Sequence, residues 1–485
     1  MSNDARSAVK NSFASITAQL ANLLVGLASS VYVARMLGKE QFGIYNWALG
    51  LCGLVVAVAN VGVDNVISRE TAKEKTRASE YLISGFLIKI FTSTIAYLGI
   101  VLYLKLRNYS GLQLAVGYLL CTTVITESFN ASCRAVLIGI ERQDASAVIS
   151  VVTNLIRVGL VILLVTLKYD ILAVAWVTVG ILILALILHL WVISRLAGGT
   201  WKPNLTTTSY LLATGSTFLI TSLFASLFDR ADYVILEYYK DVGTVGIYGA
   251  AWRMVEIVTM IAYNASIALF PILSRRFQTS KEEHAKALEK ATKYMTVFGF
   301  PFTIGILLLS NPLMVGLYGE KFAESGTALA ILMWSRVFAF PILPGQQSVA
   351  ARNAQLKLFP PVVVRAILAV GLAVYLIPKY GYKGAAVSKV VAENVHYLLC
   401  YLIAFSGPER FNPIKLFGKP ALATAVMALA IIFLRRFGIF VATGGAIVVY
   451  IGAIQLFRVL DSEDIKILRK VAMSFIRPGL SIKGD

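Results

Sequence analysis

The strongest constraint on this chain is a succession of apolar runs, each roughly 20 residues long, that continues almost to the C-terminus. A helix of that length crosses the hydrocarbon core of a membrane, which is about 30 Å thick. The composition agrees, because 58% of the 485 residues are hydrophobic and only 15% are charged. Soluble globular chains are under half apolar and about a quarter charged. The sequence therefore predicts an all-α polytopic membrane protein.

Breaks rich in charged and turn-forming residues divide the apolar runs into about fourteen candidate helices, of which we expect 12 to 14 to span the membrane. The opening polar residues lead into a span that is too long for a signal peptide, so we expect the first helix to be retained. The predicted helices are 12–34, 44–67, 81–104, 112–134, 146–167, 171–194, 209–229, 245–271, 291–309, 326–347, 358–377, 384–405, 418–434 and 437–457.

The distribution of lysine and arginine predicts the orientation. The connecting segments on the N-terminal side of the membrane hold roughly twice as many basic residues as those on the other side. This bias predicts a multi-pass protein of the cytoplasmic membrane with both termini in the cytoplasm. The net charge of +19 is dispersed over short loops, which is typical of segments near anionic lipid headgroups and does not favour nucleic acid.

An internal repeat predicts how the helices are organised. Residues 42–45 (Phe-Gly-Ile-Tyr) recur as residues 245–248 (Val-Gly-Ile-Tyr), and the segment from Lys168 is echoed by the segment from Lys379. Six predicted helices separate the copies, so the two halves run in the same direction, about an axis along the membrane normal. The prediction is an N-terminal lobe (1–200), a C-terminal lobe (201–408), an accessory helix pair (409–460) and a cytoplasmic amphipathic tail (461–485).

Two parallel lobes predict a cavity that opens alternately to either side of the membrane, which is the architecture of a transporter. The sequence contains neither a phosphate-binding glycine loop nor a nucleophile elbow, and its three histidines lie far apart. We therefore expect no enzyme activity, no metal and no resident cofactor.

Charged residues inside the predicted helices are the candidates for function. A charge at the bilayer centre costs on the order of 3 kcal/mol or more, so such residues face a wet or protein-lined interior. The basic ones, candidates for binding substrate in a cationic cavity, are Lys89, Arg157, Arg253, Arg336, Arg365 and Lys389. The acidic ones, candidates for ion coupling, are Asp64, Glu127, Glu256 and Glu393.

Three of the basic residues have no acidic residue within one helical turn: Arg157, Arg336 and Arg365. An arginine presents a planar, permanently charged fork that binds phosphate oxygens bidentately. These three positions therefore predict an anionic substrate that carries a phosphate or a diphosphate.

The other in-span charges leave alternatives open. Arg253 and Glu256 are three residues apart, and Lys389 lies four residues before Glu393, so each pair could be a structural ion pair. Lys389 could also extend to the membrane surface, because it lies near the end of its helix. Asp64 and Glu127 either take part in proton or sodium coupling or pair with Arg69 or another cavity arginine.

Several short motifs resemble those of a known family. Residues 35–38 (Arg-Met-Leu-Gly) with residues 42–45 resemble the R-x-L-G-x-x-x-F-G-x-Y signature of polysaccharide flippases of the O-antigen type. Residues 318–322 (Tyr-Gly-Glu-Lys-Phe) and 381–386 are similar to recurrent patterns of the same family. This family belongs to the multidrug/oligosaccharidyl-lipid/polysaccharide exporter superfamily.

The resemblance implies two six-helix bundles arranged as a V. It also implies alternating access and the flipping of an oligosaccharide linked to a polyprenyl phosphate or diphosphate. It further implies coupling to an H+ or Na+ gradient without ATP hydrolysis, and cavity arginines that hold the diphosphate. The expected partners are the lipid-linked oligosaccharide and membrane lipids, with other membrane proteins of glycan assembly as further candidates.

Two other functions stay open from the sequence. A multidrug antiporter of the same superfamily would need an acidic site for organic cations, whereas basic residues outnumber acidic ones inside the predicted helices. A membrane glycosyltransferase or ligase would need a large extramembrane domain or paired catalytic carboxylates, and the predicted external loops are short.

Overall fold

The computed structural model describes residues 3–406, 411–461 and 464, with side chains from residue 23 onward except that of Lys415. The regular elements in these ranges are all helical, as hydrocarbon requires, because a helix satisfies its backbone hydrogen bonds within one segment. The helices of the first half are α1 (Asn3–Asn60), α2 (Val63–Lys73), α3 (Ala78–Leu106), α4 (Gly111–Cys121), α5 (Thr123–Gly139), α6 (Gln143–Thr166), α7 (Ile171–Leu196), α8 (Leu205–Tyr239) and α9 (Val242–Ile267). Those of the second half are α10 (Phe270–Thr279), α11 (Lys281–Leu308), α12 (Ser310–Tyr318), α13 (Ala323–Ala351), α14 (Phe359–Tyr380), α15 (Tyr382–Ala404), α16 (Pro413–Leu434) and α17 (Ile439–Leu456).

Within the described residues, 12 helical stretches are long and apolar enough to cross a membrane. This number confirms the predicted polytopic membrane protein. One stretch, Leu23–Asn60, contains two segments, because Gly38 has φ of 80° and ψ of 176° and bends α1 where the sequence predicts the first loop. α15 is not among the 12, since Lys389, Glu393 and His396 make it more polar than the other helices.

Two predicted helix boundaries differ from the structure by ten residues. α8 continues ten residues past the predicted end at residue 229, because apolar residues resume after the charged positions. A helix of 35 residues is about 52 Å long, more than the hydrocarbon core needs. α11 includes the charged segment 281–290 that the sequence predicts as separate from the span. The predicted amphipathic tail (461–485) lies outside the described residues, apart from Asp461 and Asp464.

The chain forms two compact units. The first comprises Met1–Met260, Met314–Ser335 and Leu356–Leu399 in their described parts. The second comprises Ile261–Leu313, Arg336–Gln355 and Cys400–Asp485, likewise in their described parts. The lobe boundaries that the repeat predicts stay a prediction.

The first unit has a core formed by α2, α3, α5, α7 and α8. Fully buried side chains there include Ile67, Leu82, Val136, Ile193 and Leu211, one from each of these helices. Helix association inside a membrane depends on such close packing, since lipid is as apolar as the side chains.

In the second unit, α16 and α17 form an antiparallel pair. Small residues four apart, such as Ala442 and Ala446 on α17, form a buried stripe against Ala423 and Met427 of α16. Small side chains in a stripe let two helix backbones approach closely in a membrane. The Tyr450 hydroxyl donates to the Val297 carbonyl at 2.6 Å and so ties α17 to α11.

Candidate functional site

A cavity of about 270 Å³ lies inside the first unit. Five helices contribute to its wall: α1, α6, α7, α8 and α9. The aromatic part of the wall comes from Phe42, Tyr45, Tyr233 and Trp252. A polar cavity inside a membrane protein is a default candidate for substrate binding.

Among the side chains that the structure describes, three arginines and one glutamate supply the charges of this cavity: Arg157, Arg230, Arg253 and Glu256. Arg253 Nη1 lies 3.0 Å from one carboxylate oxygen of Glu256, and Arg230 Nη2 lies 3.6 Å from the other. One carboxylate therefore faces two guanidinium groups. Each of these three side chains keeps about a third of its surface accessible, at 30–37%, so the group is open to a ligand.

Arg157 differs from the other two arginines because its partner is neutral. Its Nη2 and Nε donate to Asn154 Oδ1 at 2.8 and 3.3 Å. In the part of the chain that the structure describes, no carboxylate lies within ion-pair distance of Arg157. The cavity therefore carries an excess of positive charge. Guanidinium groups that are held by neighbours but not neutralised are suited to binding phosphate oxygens.

The structure places three of the predicted site residues in this cavity, namely Arg157, Arg253 and Glu256. Lys89, Arg365 and Lys389 belong to the same unit but do not line it. Arg365 lies over the Phe228 ring at 3.9 Å. Arg336 belongs to the second unit, where it is 2% exposed.

The predicted coupling carboxylates other than Glu256 lie elsewhere. Asp64 accepts from Lys89 Nζ at 2.5 Å, whereas Arg69 pairs with its neighbour Glu70 at 2.8 Å. Glu127 pairs with Arg134 at 2.6 Å. Glu393 is buried on α15, with 3% of its surface exposed.

Arg230 is the cavity residue that the sequence analysis missed. The seventh predicted helix ends at residue 229, which places Arg230 in an external loop. In the structure α8 continues to Tyr239, so Arg230 projects from a helix into the cavity. The apolar residues 233–236 that follow Arg230 were the available signal, because they continue the helix beyond the charges.

The repeated motif brings the backbones of α1 and α9 into contact beside the cavity. A Cβ atom added to Gly43 would lie 1.6 Å from the Val242 carbonyl oxygen, and one added to Gly246 would lie 2.1 Å from that of Lys39. Only glycine fits at either position. The two copies of the repeat therefore meet each other at their glycines.

Two of the motifs that carry the family resemblance, residues 35–45 and 318–322, lie next to each other. The Arg35 guanidinium donates to the carbonyls of Gly316 and Leu317 at the C-terminal end of α12. The Phe42 ring lies 6.4 Å from the Tyr318 ring and 6.0 Å from the Phe322 ring. A basic side chain at a helix C-terminus is favourable, because the last carbonyls are unpaired and carry negative partial charge. These motifs therefore form one cluster, and Phe42 connects it to the cavity wall.

The Lys89–Asp64 pair has a structural role that can be tested. Lys89 is fully buried, and its ammonium donates to Asp64 and to the Ser128 carbonyl. We expect Lys89→Ala to lower the free energy of unfolding by about 3 kcal/mol, because it leaves a carboxylate uncompensated. The double variant Lys89→Met/Asp64→Leu should recover most of this loss.

Thermal unfolding in detergent, with the exposed Lys105→Ala on the same helix as control, measures both effects. A Lys89→Ala protein as stable as the wild type would contradict this role.

Comparisons with known proteins agree with this architecture. Residues 8–277, more than half of the chain, match the family described as polysaccharide biosynthesis protein. A curated relative from Haloferax volcanii, the "Probable low-salt glycan biosynthesis flippase Agl15", is 23% identical over 370 residues, which cover 76% of this chain and 77% of the relative.

Two solved structures share the fold. The lipid II flippase MurJ, in an inward closed conformation, matches with a TM-score of 0.77 at 17% identity and covers 91% of this chain and 98% of its own. An inward-facing multidrug resistance transporter of the MATE family matches with a TM-score of 0.62 at 15% identity and covers 79% of this chain and 93% of its own. This chain therefore shares the helical fold of these two transporters, which confirms the predicted fold class. The match over residues 8–277, more than half of the chain, shows that this multi-pass membrane protein belongs to the polysaccharide biosynthesis protein family.

Proposed function

We propose that this chain flips a polyprenyl-linked oligosaccharide across the cytoplasmic membrane and that the arginines of its cavity hold the phosphate or diphosphate of the lipid. The observation that carries the proposal is the charge of the cavity, which among the described residues is lined by three arginines (Arg157, Arg230 and Arg253) and one carboxylate (Glu256). The curated relative is itself named as a glycan flippase. MurJ, which shares the fold, is named as a flippase of lipid II.

The size of the cavity bears on the mechanism. At about 270 Å³ it is at the lower end of the range of small-molecule pockets, roughly 300–1,000 Å³. It accommodates a phosphate or diphosphate with part of a sugar, and a whole oligosaccharide needs more room. The proposal therefore includes alternating access, in which the cavity widens toward one side at a time while the prenyl chain stays in lipid. The predicted lobes (1–200 and 201–408) would be the moving parts.

Coupling to a proton or sodium gradient is also part of the proposal. Glu256 is the carboxylate that lines the cavity and contacts two of its arginines. Protonation of Glu256 would free both guanidinium groups for the substrate. Both termini are proposed to lie in the cytoplasm, which follows from the charge bias of the loops.

The multidrug alternative fits this cavity less well. An organic cation would enter a site with three positive groups and one negative group, and the like charges would repel it. The superfamily fold alone does not separate the two functions, because MATE transporters have it as well.

Translocation in proteoliposomes tests the proposal directly. Purified protein would be given a fluorescent polyprenyl-diphosphate oligosaccharide or a fluorescent organic cation, each with and without a proton or sodium gradient. We expect protein-dependent movement of the glycolipid and none of the cation, with protein-free vesicles as control. Gradient-driven movement of the cation alone would overturn the proposal and would make Glu256 the first residue to test as a cation ligand.

A further inference from the structure

A buried lysine outside the cavity has the surroundings of a bound metal cation. Lys389 on α15 is 2% exposed and extends toward α8 and α9. Its side chain does not reach the membrane surface, and its observed ionic partner is Asp232, not the residue one turn away. Asp232 is itself 5% exposed. The Lys389–Asp232 ion pair is therefore buried and does not form part of the protein surface.

The ammonium has two oxygen acceptors and lies over an aromatic ring. Nζ lies 2.8 Å from Asp232 Oδ2 and 3.1 Å from the Asp229 carbonyl oxygen. It also lies 3.8 Å from the centre of a Trp252 ring. A carboxylate oxygen and a carbonyl oxygen are ligands of small hard cations in proteins, and an aromatic face attracts an ammonium group.

The carboxylate is fixed in place by two further groups. The Tyr248 hydroxyl donates to Asp232 Oδ2, and the Tyr233 backbone N–H donates to Oδ1 at 3.1 Å. Asp232 and Lys389 also line a void of about 10 Å³, which is enough for about one water molecule. The acceptors are therefore held by neighbours other than the lysine, and a ligand could replace the ammonium without moving them.

We propose that the Lys389 ammonium is a built-in cation in a sodium-type site, so that this site of the wild-type protein does not bind free sodium. Removal of the ammonium converts the position into a site for Na+, with Asp232 and the Asp229 carbonyl as ligands. The proposal concerns cation binding and does not depend on the identity of the transported substrate.

The site is placed to communicate with the cavity. Trp252 lines the cavity with one part of its side chain and covers the ammonium with its ring. Tyr233, whose N–H holds Asp232, also lines the cavity. A cation at this position therefore stabilises the arrangement of α8, α9 and α15 around one wall of the cavity.

A second lysine in the same unit shows the same pattern. Lys89 Nζ lies 2.5 Å from Asp64 Oδ1 and 2.6 Å from the Ser128 carbonyl oxygen, and Ser132 donates to the same carboxylate oxygen at 3.0 Å. Two fully buried ammonium groups thus each have one carboxylate and one carbonyl as acceptors.

Thermal unfolding in sodium chloride and in choline chloride at equal ionic strength tests the proposal without a transport assay. We expect Na+ to raise the Tm of Lys389→Ala by about 2 °C or more relative to choline, because a ligand that binds only the folded state stabilises it. The wild type and the exposed Lys379→Ala, on the neighbouring α14, should show no such difference. The double variant Asp232→Ala/Lys389→Ala should lose the sodium response, since it lacks the main ligand.

Two results would overturn the proposal. One is a sodium response of the wild type as large as that of Lys389→Ala, because sodium would then bind with the lysine in place. The other is a folded Lys389→Ala protein that does not distinguish sodium from choline. If Lys389→Ala cannot be recovered, Lys389→Ser, which keeps a small polar side chain, is measured in the same way. The wild-type result decides against the proposal independently of either variant.

Discussion

Arg157→Ala is expected to lower glycolipid transport in proteoliposomes by a factor of ten to a hundred. A hydrogen bond to a charged group contributes about 1.5–3 kcal/mol, and each 1.4 kcal/mol corresponds to about tenfold in affinity. Arg157 has the largest expected effect among the cavity arginines, because its partner in the described part of the chain is the neutral amide of Asn154. A phosphate can therefore bind to Arg157 without the loss of an existing ion pair.

The control for this prediction is Arg195→Ala. Arg195 lies in the last turn of α7, where its guanidinium is 6.0 Å from the Trp191 ring, and it does not line the cavity. Both variants remove one positive charge, so a general effect of charge on insertion would appear in both. Transport by Arg157→Ala at the wild-type rate, with normal expression and Tm, would exclude Arg157 from substrate binding.

Arg157→Lys separates charge from geometry in the same assay. A lysine keeps the positive charge but presents a single ammonium in place of the planar fork. We expect intermediate transport, because a point charge still attracts a phosphate but cannot bind it bidentately. A Lys variant as active as the wild type would indicate a purely electrostatic role.

Much of the fold could be predicted from the sequence because the membrane leaves few choices. Apolar runs of the length needed to cross a bilayer can only be helices there, and the structure has 12 such stretches among its described residues. The bend at Gly38 falls between the first two predicted helices. The boundaries that were wrong are those where charged residues lie inside a helix, as in α8 and α11.

The candidate site could be predicted only where partners are close in sequence. The spacing of Arg253 and Glu256 indicates a pair on one helix face, and the structure has them 3.0 Å apart. The same rule offers Glu393 as the partner of Lys389, yet Lys389 bonds to Asp232, which is 157 residues away in the chain. A rule based on the spacing of charged residues along one helix cannot predict contacts between α8 and α15, because these contacts depend on how the helices pack.

The position of a charged residue along its helix was also not enough to predict whether the residue lines the cavity. Arg157 and Arg336 both lie near the middle of their predicted spans, but only Arg157 lines the cavity of the first unit. Whether a residue at mid-span faces a cavity depends on the rotation of its helix about its own axis. Packing against neighbouring helices determines that rotation, and the rotation cannot be predicted from a single sequence.

The glycine contact between the two repeats leads to the second large effect, which is expected from Gly43→Ala. Its added methyl group would lie 1.6 Å from the Val242 carbonyl oxygen, so α1 and α9 could not keep their present contact. We expect a loss of transport of about tenfold or more, since one state of the proposed alternating-access cycle would be destabilised by at least about 1.4 kcal/mol. Gly99→Ala is the matched control, because a Cβ at Gly99 has no neighbour within 4 Å. An alanine in an open helical position stabilises slightly.

A cysteine pair shows whether the lost transport comes from the lost contact. A Cβ at position 243 would lie 3.7 Å from Lys39 Cγ, so Lys39→Cys/Gly243→Cys should form a disulfide readily on oxidation. The crosslink should stop transport by holding the two repeats together, and reduction should restore it. In the Gly43→Ala background the disulfide should form more slowly, because the backbones are held apart. Equal crosslinking rates with and without Gly43→Ala would mean that the methyl group is accommodated, and the glycine contact would then have no part in the transport cycle.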